Sequence, residues 1–330
     1  MRRQVNNQPH LGGGPVGDPI AASEKLPPTS INRQIGSAND GAHTGTTPSK
    51  RTGKQRIQPS DVEAVSDRLS ERDWAILRSV AEHKFLTTRQ IADLYFADHA
   101  PAACERIARR TLTRLRCLRL LGALERHIGG LGAGSEGLVH YVDVVGDQLL
   151  HGHSGRRARR FHEPSRRFVR HQLAIADSRL ALIQADRQRQ LELVECALEP
   201  ASWRRFRGIG GARLTLKADL YVEIATTPDG DFVNAWFVEV DLGTESITTL
   251  LKKCRDYEAY RRTGIEQEEG GGFPLVVWSV THPHPVKAEA RRRALREAID
   301  ANRDRTLTPA LFRIVAPDQL VPLLANGGAA

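Results

Sequence analysis

The sequence predicts an α+β fold in two parts, with helices in the N-terminal half and a central mixed sheet in the C-terminal half. Residues 219–224 and 235–241 alternate apolar and polar side chains with the period of a β-strand. Three amphipathic helices and a pair of short strands are predicted between about residue 69 and residue 142. The composition suits a folded core, because 40% of the 330 residues are hydrophobic and 26% are charged.

The first 65 residues differ in composition from the rest of the chain. They are rich in Gly, Pro, Ser, Thr, Asn and Gln, and they show no hydrophobic periodicity. Such a segment buries too little apolar surface to offset its chain entropy. Residues 1–65 are therefore predicted to be a disordered basic and polar tail, with ordered structure from about Leu69.

Three helices are predicted after this tail. Ser70 is in the position of an N-cap in front of the first helix, and Thr87 with Gln90 resembles a capping box in front of the second. The third helix is predicted from Pro101, a favourable first-turn residue, to Leu121, with the following glycine, Gly122, as its stop.

The third helix has two chemically distinct sides at about 100° per residue. One side is apolar and is predicted to face the core: Cys104, Ala108, Thr111, Leu112, Leu115 and Leu118. The other side is predicted to contact DNA: Arg106, Arg109, Arg110, Thr113 and Arg116. A helix that enters the major groove needs one face for its own domain and one for phosphates and base edges.

A β-hairpin is predicted directly after the third helix, with strands at 123–128 and 138–142 around a glycine-rich loop at 129–137. Three helices followed by a hairpin indicate a winged helix-turn-helix domain over residues 66–150, with double-stranded DNA as its partner. The net charge of +9 agrees with a polyanionic partner. The alternative is a surface helix in a domain that only contacts proteins.

The second half begins with a basic linker at 151–164, followed by a domain at 165–324 and a disordered tail at 325–330. A long amphipathic helix is predicted from Ser165 to Asp186, with His171 as a core residue. The turn-rich spacer 226–231 indicates that the two alternating strands form an antiparallel hairpin.

Acidic residues occupy the polar faces of these two strands. If both polar faces lie on the same side, then Asp219, Glu239 and Asp241 form one cluster, and a helix that carries Lys252 and Lys253 follows. Converging carboxylates favour a divalent cation, Mg²⁺ or Mn²⁺, which can polarise a phosphodiester and activate water. The alternative is an ordinary solvated strand face with ion pairs.

The arrangement of these acids resembles the PD-(D/E)xK nuclease fold. Asp219 matches its first acid and Glu239 its second, whereas Asp241 stands where that fold has its lysine, so a lysine displaced to Lys253 would replace it. The resemblance implies Asp219, Glu239, Asp241 and Lys253 as catalytic residues, with Asp219, Glu239 and Asp241 holding the metal. The departure at Asp241 leaves open whether this domain is an active Mg²⁺-dependent nickase or endonuclease, or an inactive platform.

The ordered part, roughly 69–324, resembles the replication-relaxation family. The segments that carry the resemblance are 73–77, 168–171, 217–220, 237–244 and the pair Lys253 and Tyr257. It implies an N-terminal winged helix and a role in the replication or transfer of plasmid and mobile DNA, with replication or conjugation proteins as further partners. Another hypothesis is a transcriptional regulator whose C-terminal domain binds a protein.

The spacing of the cysteines and the lengths of the apolar runs indicate the cellular compartment of the protein. The four cysteines, Cys104, Cys117, Cys196 and Cys254, are scattered without a Cys-x-x-Cys motif, which argues against a zinc site or a disulfide framework. No apolar run approaches the length of a membrane span. A cytoplasmic protein with no membrane partner is expected.

Overall fold

The computed structural model describes residues 4–5, 59–124, 137–152, 163–227, 231–302 and 306–328. The helices in these ranges are α1 (Pro59–Ser66), α2 (Glu71–His83), α3 (Thr88–Tyr95), α4 (Pro101–Cys117), α5 (Val144–His151), α6 (Arg166–Arg187), α7 (Ile247–Arg261), α8 (Ile265–Gly270), α9 (Pro285–Asp300) and α10 (Leu320–Ala325). The strands are β1 (Gln4–Val5), β2 (Leu86–Thr87), β3 (Leu121–Ala123), β4 (Val139–Val142), β5 (Leu193–Leu198), β6 (Arg204–Arg207), β7 (Arg213–Leu216), β8 (Leu220–Ala225), β9 (Phe232–Asp241), β10 (Leu275–Val280) and β11 (Phe312–Val315).

The N-terminal part packs α2, α3 and α4 beside a three-stranded antiparallel sheet in the order β2-β4-β3. The predicted caps are confirmed: Ser70 and Asp73 form a capping box at α2, and Thr87 and Gln90 form one at α3. These short polar side chains satisfy backbone N–H groups that the first helical turn leaves without partners.

The end of α4 differs from the prediction. The helix ends at Cys117, and Gly122 lies inside β3 rather than acting as a helix stop. A Cβ atom at Gly122 would lie 2.3 Å from the ring of Tyr141, so the glycine makes room for cross-strand packing. Most of the predicted glycine-rich loop, residues 129–136, lies outside the described residues.

The central sheet has the order β11-β10-β9-β8-β5. Strands β9, β10 and β11 run parallel, whereas β8 runs antiparallel to both β9 and β5, so the predicted mixed sheet is confirmed. The predicted hairpin of β8 and β9 is present, with Leu220 opposite Val238 and Tyr221 opposite Phe237. β1 pairs with the first two residues of β9.

The alternative of a solvated strand face is wrong for β9, although the ion pairs that this alternative expected are present. Phe237, Glu239 and Asp241 share one face of β9 and are each at most 4% exposed. Helix α7 covers this face, and the rings of Phe237 and Tyr257 lie 5.4 Å apart. Helices α9 and α6 also contact the sheet, so β9 is buried on both sides.

Helix α6 contacts both parts of the molecule. Its N-cap is Ser165, close to the predicted start, and it contacts α2, α3 and β2 as well as β5 and β9. Gln90 donates hydrogen bonds to the carbonyl of Leu173 (3.0 Å) and to Asp177 (2.6 Å). A small apolar cluster is shared by the two parts: Phe85, Leu124, Val139, Val169 and Leu173.

Only parts of the segments predicted to be disordered are among the residues that the structure describes. Strand β1 and all but the last residue of helix α1 lie within the predicted tail 1–65. The rest of that tail, like residues 153–162 of the predicted linker, lies outside the described residues. In the predicted tail 325–330, the carbonyl of Gly328 accepts a hydrogen bond from Arg313 (3.2 Å). Among the described helices, none combines the length and the apolar character that crossing a bilayer requires.

Candidate functional site

Three elements bring Asp219, Glu239 and Lys253 together. Asp219 immediately precedes β8, one position beyond the pair Leu220 and Val238, so the antiparallel register places it beside Glu239 of β9. Lys253 of α7 forms an ion pair with Glu239. These side chains line one pocket of about 350 Å³, together with Asp241, His171 and residues at the start of α6. The predicted acids therefore share one side of the sheet, and Lys253 joins them.

Glu239 is the most deeply buried member of the site, with 1% of its surface exposed. Its two carboxylate oxygens accept hydrogen bonds from different groups, the ammonium of Lys253 and the hydroxyl of Tyr257. Burial, with the nearby charge of Asp219, raises the pKa of Glu239 to about 8 despite Lys253. Burial alone would lower the pKa of Lys253, but the charges of Glu239 and Asp219 outweigh it and raise that pKa.

Asp219 has two different hydrogen-bond partners. One oxygen accepts the backbone N–H of Val240 (2.8 Å), and the other lies 3.3 Å from the Nε2 atom of His171. Burial would raise the pKa of Asp219, but the hydrogen bond with His171 and the charge of Lys253 hold it below its ordinary value. His171 responds in the opposite sense: burial would lower its pKa, and the contact with Asp219 raises it.

Asp241 has a partner that the sequence did not suggest. Arg291 of α9 contacts both of its carboxylate oxygens, and the backbone N–H of Gly243 also donates to it (3.2 Å). A guanidinium that contacts both oxygens neutralises the carboxylate in a bidentate pair, which neither Asp219 nor Glu239 has. Asp241 thus lines the pocket as half of a closed ion pair.

The side chains of the pocket differ in how well they suit a metal ion. In the part of the chain that the structure describes, no group of three His, Cys, Asp or Glu side chains is placed to hold a metal ion. Asp219 and Glu239 are two adjacent carboxylates, and Mg²⁺ is often bound by one or two carboxylates with water and phosphate oxygens. The residues present therefore fit a magnesium ion at Asp219 and Glu239, without Asp241.

The predicted metal and DNA-contacting residues did not include His171, Tyr257 or Arg291. His171 was assigned to the core because it lies on the apolar stripe of its helix. Lys253 and Tyr257 are four residues apart on α7, a spacing that puts both on one helix face, and this was the available signal for Tyr257.

The predicted DNA-contacting side of α4 is largely free. Arg106, Arg109, Arg110 and Thr113 are exposed, whereas Arg116 is half-buried. Arg109 pairs with Glu105 (2.8 Å), in the geometry of one helical turn. The opposite side, including Ala108, Leu112 and Leu115, is buried as predicted.

A neighbouring arginine on α4 has a different role. Arg114 lies 2.6 Å from Asp73, whose side chain is buried in the capping box of α2. The hydrogen bonds from Arg114 and Ser70 outweigh burial and hold the pKa of Asp73 below its ordinary value. Arg114 therefore fastens α4 to α2, whereas Arg106, Arg109 and Arg110 are exposed and form no ion pair with another element in the described part of the chain.

Comparison with known proteins agrees with the resemblance seen in the sequence. The family model described as replication-relaxation matches residues 77–276, which is more than half of the chain. The match includes α4, Asp219, Glu239 and Lys253. Comparison with curated proteins gave no match. Comparison with solved structures gave none either.

Proposed function

Because the chain belongs to the replication-relaxation family, we propose that it is a DNA-binding protein with α4 as its recognition helix. Family membership supports a role in the replication or transfer of plasmid and mobile DNA. The protein engages that DNA with the arginine side of α4 in the major groove. The single observation that carries it is a helix with one buried apolar side and one exposed arginine side.

The surrounding elements support this proposal. Their order is helix, strand, helix, helix, strand, strand (α2-β2-α3-α4-β3-β4), and the three strands form one sheet. This is the order of a winged helix-turn-helix, in which the third helix lies in the major groove and the strand hairpin forms the wing. Arg106 and Arg110 have no ion-pair partner within the described ranges, so their charges are available to phosphates and base edges.

Replacing Arg106 and Arg110 by alanine tests the proposal. Each phosphate contact that the substitution removes should make the slope of log affinity against log salt about one unit less steep. Each base contact that it removes should cost about 1–3 kcal/mol of binding free energy. The measurement is fluorescence anisotropy with labelled duplex DNA over a salt series. The matched control replaces Lys287 and Arg293, two exposed cations of α9, by alanine.

Unchanged affinity and slope in a folded Arg106→Ala/Arg110→Ala protein would refute DNA recognition by α4. The arginine side of the helix would then be a surface for protein contacts, as in a regulator that acts through a partner. Circular dichroism and thermal unfolding establish that the variant is folded, because neither arginine packs in the core.

A second candidate function is cleavage of a phosphodiester at the Asp219 pocket. The observation that favours it is the convergence of Asp219, Glu239 and Lys253. The nuclease fold that the acids resemble has a lysine where this chain has Asp241, and Lys253 supplies that positive charge from α7. An ammonium has three N–H donors, and the bond to Glu239 uses one of them. Asp219 and Glu239 would hold a magnesium ion, which would supply charge for the phosphate and an activated water.

Nicking of supercoiled plasmid in the presence of Mg²⁺ or Mn²⁺ tests this second function. Asp219→Asn and Lys253→Met should each reduce nicking by at least about 100-fold. Glu245→Gln is the control, because Glu245 lines the same pocket but is exposed and pairs with Arg167. If the unmodified protein does not nick DNA, the second function is refuted and DNA binding by α4 is unaffected.

A further inference from the structure

The β6–β7 hairpin is a two-stranded sheet of its own, separate from the central sheet. Arg205 pairs with Thr215, and Arg207 pairs with Arg213. Because side chains alternate between the two faces of a strand, these four residues share one face of the hairpin. All four are exposed, and so is Lys217, which continues the same alternation beyond β7.

The opposite face fixes the hairpin to the C-terminal domain. Phe206 and Leu216 are buried, and the ring of Phe206 lies 5.2 Å from that of Tyr260 on α7. Arg204 forms an ion pair with Glu266 of α8 (2.5 Å). The basic face is therefore presented to solvent in one orientation by a packed support.

The basic face is not neutralised by the protein itself. Arg205, Arg207, Arg213 and Lys217 have no ion-pair partner among the residues that the structure describes. Like charges directly opposite each other in an antiparallel pair are destabilising, and Arg207 faces Arg213 in this way. The ammonium of Lys217 lies 4.8 Å from the centroid of the Trp203 ring, but the three arginines have no such partner in the described ranges. A ligand with several negative charges in a row would compensate them.

The position of the hairpin relates it to the Asp219 pocket. Lys217 precedes Asp219 by two residues, and two residues of extended chain span at most about 7 Å. At the far end, Gly210 and Gly211 have φ angles of 78° and 80°, and nothing lies within 4 Å of where a Cβ would be. The tip therefore includes two consecutive glycines without side chains, where a polymer can approach the backbone closely.

We propose that the β6–β7 hairpin is a second DNA contact, which binds the sugar–phosphate backbone beside the Asp219 pocket. This inference rests on the proposed DNA binding and extends it to a surface remote in sequence from α4. A row of cations on a strand pair suits a polyanion, because β-ribbons bind DNA in the same extended form. In this arrangement the hairpin holds a phosphate strand close to Lys253.

The test removes three hairpin charges at once, Arg205→Gln, Arg207→Gln and Arg213→Gln. Binding of a labelled duplex of about 40 base pairs and arbitrary sequence is measured by anisotropy over a salt series, because phosphate contacts dominate binding to any sequence. We expect the slope of log affinity against log salt to become about three units less steep, with at least about tenfold weaker binding near 0.1 M salt.

The matched control removes three exposed charges of α9, Lys287→Gln, Arg293→Gln and Arg296→Gln, so both proteins have the same net charge. The control should keep a slope within about one unit of the unmodified protein. An unchanged slope in the hairpin variant, or an equal change in the control, overturns the inference.

Measurements on the α4 variant and on the unmodified protein distinguish failure of the hairpin contact from failure of DNA recognition by α4. The α4 variant is measured on the same duplex. If only the hairpin variant changes the slope, DNA recognition by α4 is refuted and the hairpin contact is supported. If only the α4 variant changes the slope, the hairpin contact is refuted and recognition by α4 is supported. No DNA binding by the unmodified protein overturns both. If the triple variant does not fold, Arg205→Gln/Arg207→Gln replaces it, with an expected change of about two units.

Discussion

Glu239 and Asp241 stand two residues apart on the same face of β9, both buried and both lining one pocket, yet they are neutralised differently. Arg291 binds both oxygens of Asp241 with its planar guanidinium, so that pair is closed on itself. Glu239 shares its oxygens between Lys253, a point charge with donors to spare, and Tyr257. The difference separates a carboxylate closed in one bidentate ion pair from a carboxylate that shares its oxygens between a lysine and a tyrosine.

The largest expected effect is the loss of stability when the ion pair between Arg291 and Asp241 is broken. Arg291→Met leaves Asp241 buried without its cation and should lower the free energy of unfolding by about 3–5 kcal/mol. Urea unfolding measures this change. Adding Asp241→Leu should recover most of the loss, and Arg293→Met, on the exposed side of the same helix, should change stability by less than about 0.5 kcal/mol. Equal losses in Arg291→Met and Arg293→Met would show that Asp241 does not depend on its guanidinium partner.

The second effect concerns the pH dependence of Glu239. Its pKa is about 8 in the folded chain, against an ordinary value of 4.5, so the native state holds the proton more tightly. The stabilisation from this proton is complete below pH 4.5 and is lost as pH rises towards 8. The stability of the unmodified protein minus that of Glu239→Gln should therefore fall by about 1 kcal/mol per pH unit across this window.

Taking this difference cancels the other titrating groups. Burial lowers the pKa of His83 and His140 to about 4, so both lose stability as pH falls, which is the opposite slope. His171, with a raised pKa, loses stability as pH rises, as Glu239 does. The difference is measured by urea unfolding at several pH values. A flat difference curve between pH 5 and pH 8 would contradict the raised pKa of Glu239.

The third effect is stabilisation by a divalent cation. A ligand that binds only the folded protein at 100 times its dissociation constant stabilises it by about 2.7 kcal/mol. Mg²⁺ or Mn²⁺ should therefore raise the melting temperature of the unmodified protein, but not that of Asp219→Asn. Arg291→Met serves as the comparison, because freeing Asp241 adds a third carboxylate and should enlarge the shift. An equal shift in the unmodified protein and Asp219→Asn would place the cation elsewhere.

The smallest effect is the loss of one hydroxyl. Tyr257→Phe removes the O–H donor to Glu239 and should cost about 1–2 kcal/mol of stability, while the pKa of Glu239 rises further. Tyr260→Phe is the control, since its hydroxyl donates to Glu266 at 2.8 Å, away from the pocket. A cost for Tyr257→Phe with no change in the pH dependence would show that the hydroxyl only fills space.

The register of the strands was predictable, because alternation and a turn between two strands determine which residues face each other. The sequence therefore placed Asp219 and Glu239 on one side, and Lys253 on the following helix. It did not reveal that this side is buried, although Tyr221 and Phe237 interrupt the polar faces with aromatic rings. Two strands alone do not show which helices will cover them.

The partners of the acids were harder to predict. Arg291 is 50 residues away from Asp241 in sequence, on a helix with several arginines, and nothing in the local pattern marks the one that turns inward. His171 lies on an apolar stripe, where a core residue and a site residue look alike. Gly122 follows the third helix and therefore resembled a helix stop. Its actual role is to make room for the ring of Tyr141 on the paired strand, and such a tertiary contact is not visible in the local sequence.

Helix α6 has a consequence for dividing the chain into fragments. It spans about 33 Å at 1.5 Å per residue and supplies Val169 and Leu173 to an apolar cluster whose other members come from the N-terminal part. A fragment that ends at residue 152 would expose Phe85, Leu124 and Val139 to water as an aggregation-prone patch. A soluble N-terminal fragment would therefore need to extend through α6, beyond the segment that separates the two parts in sequence.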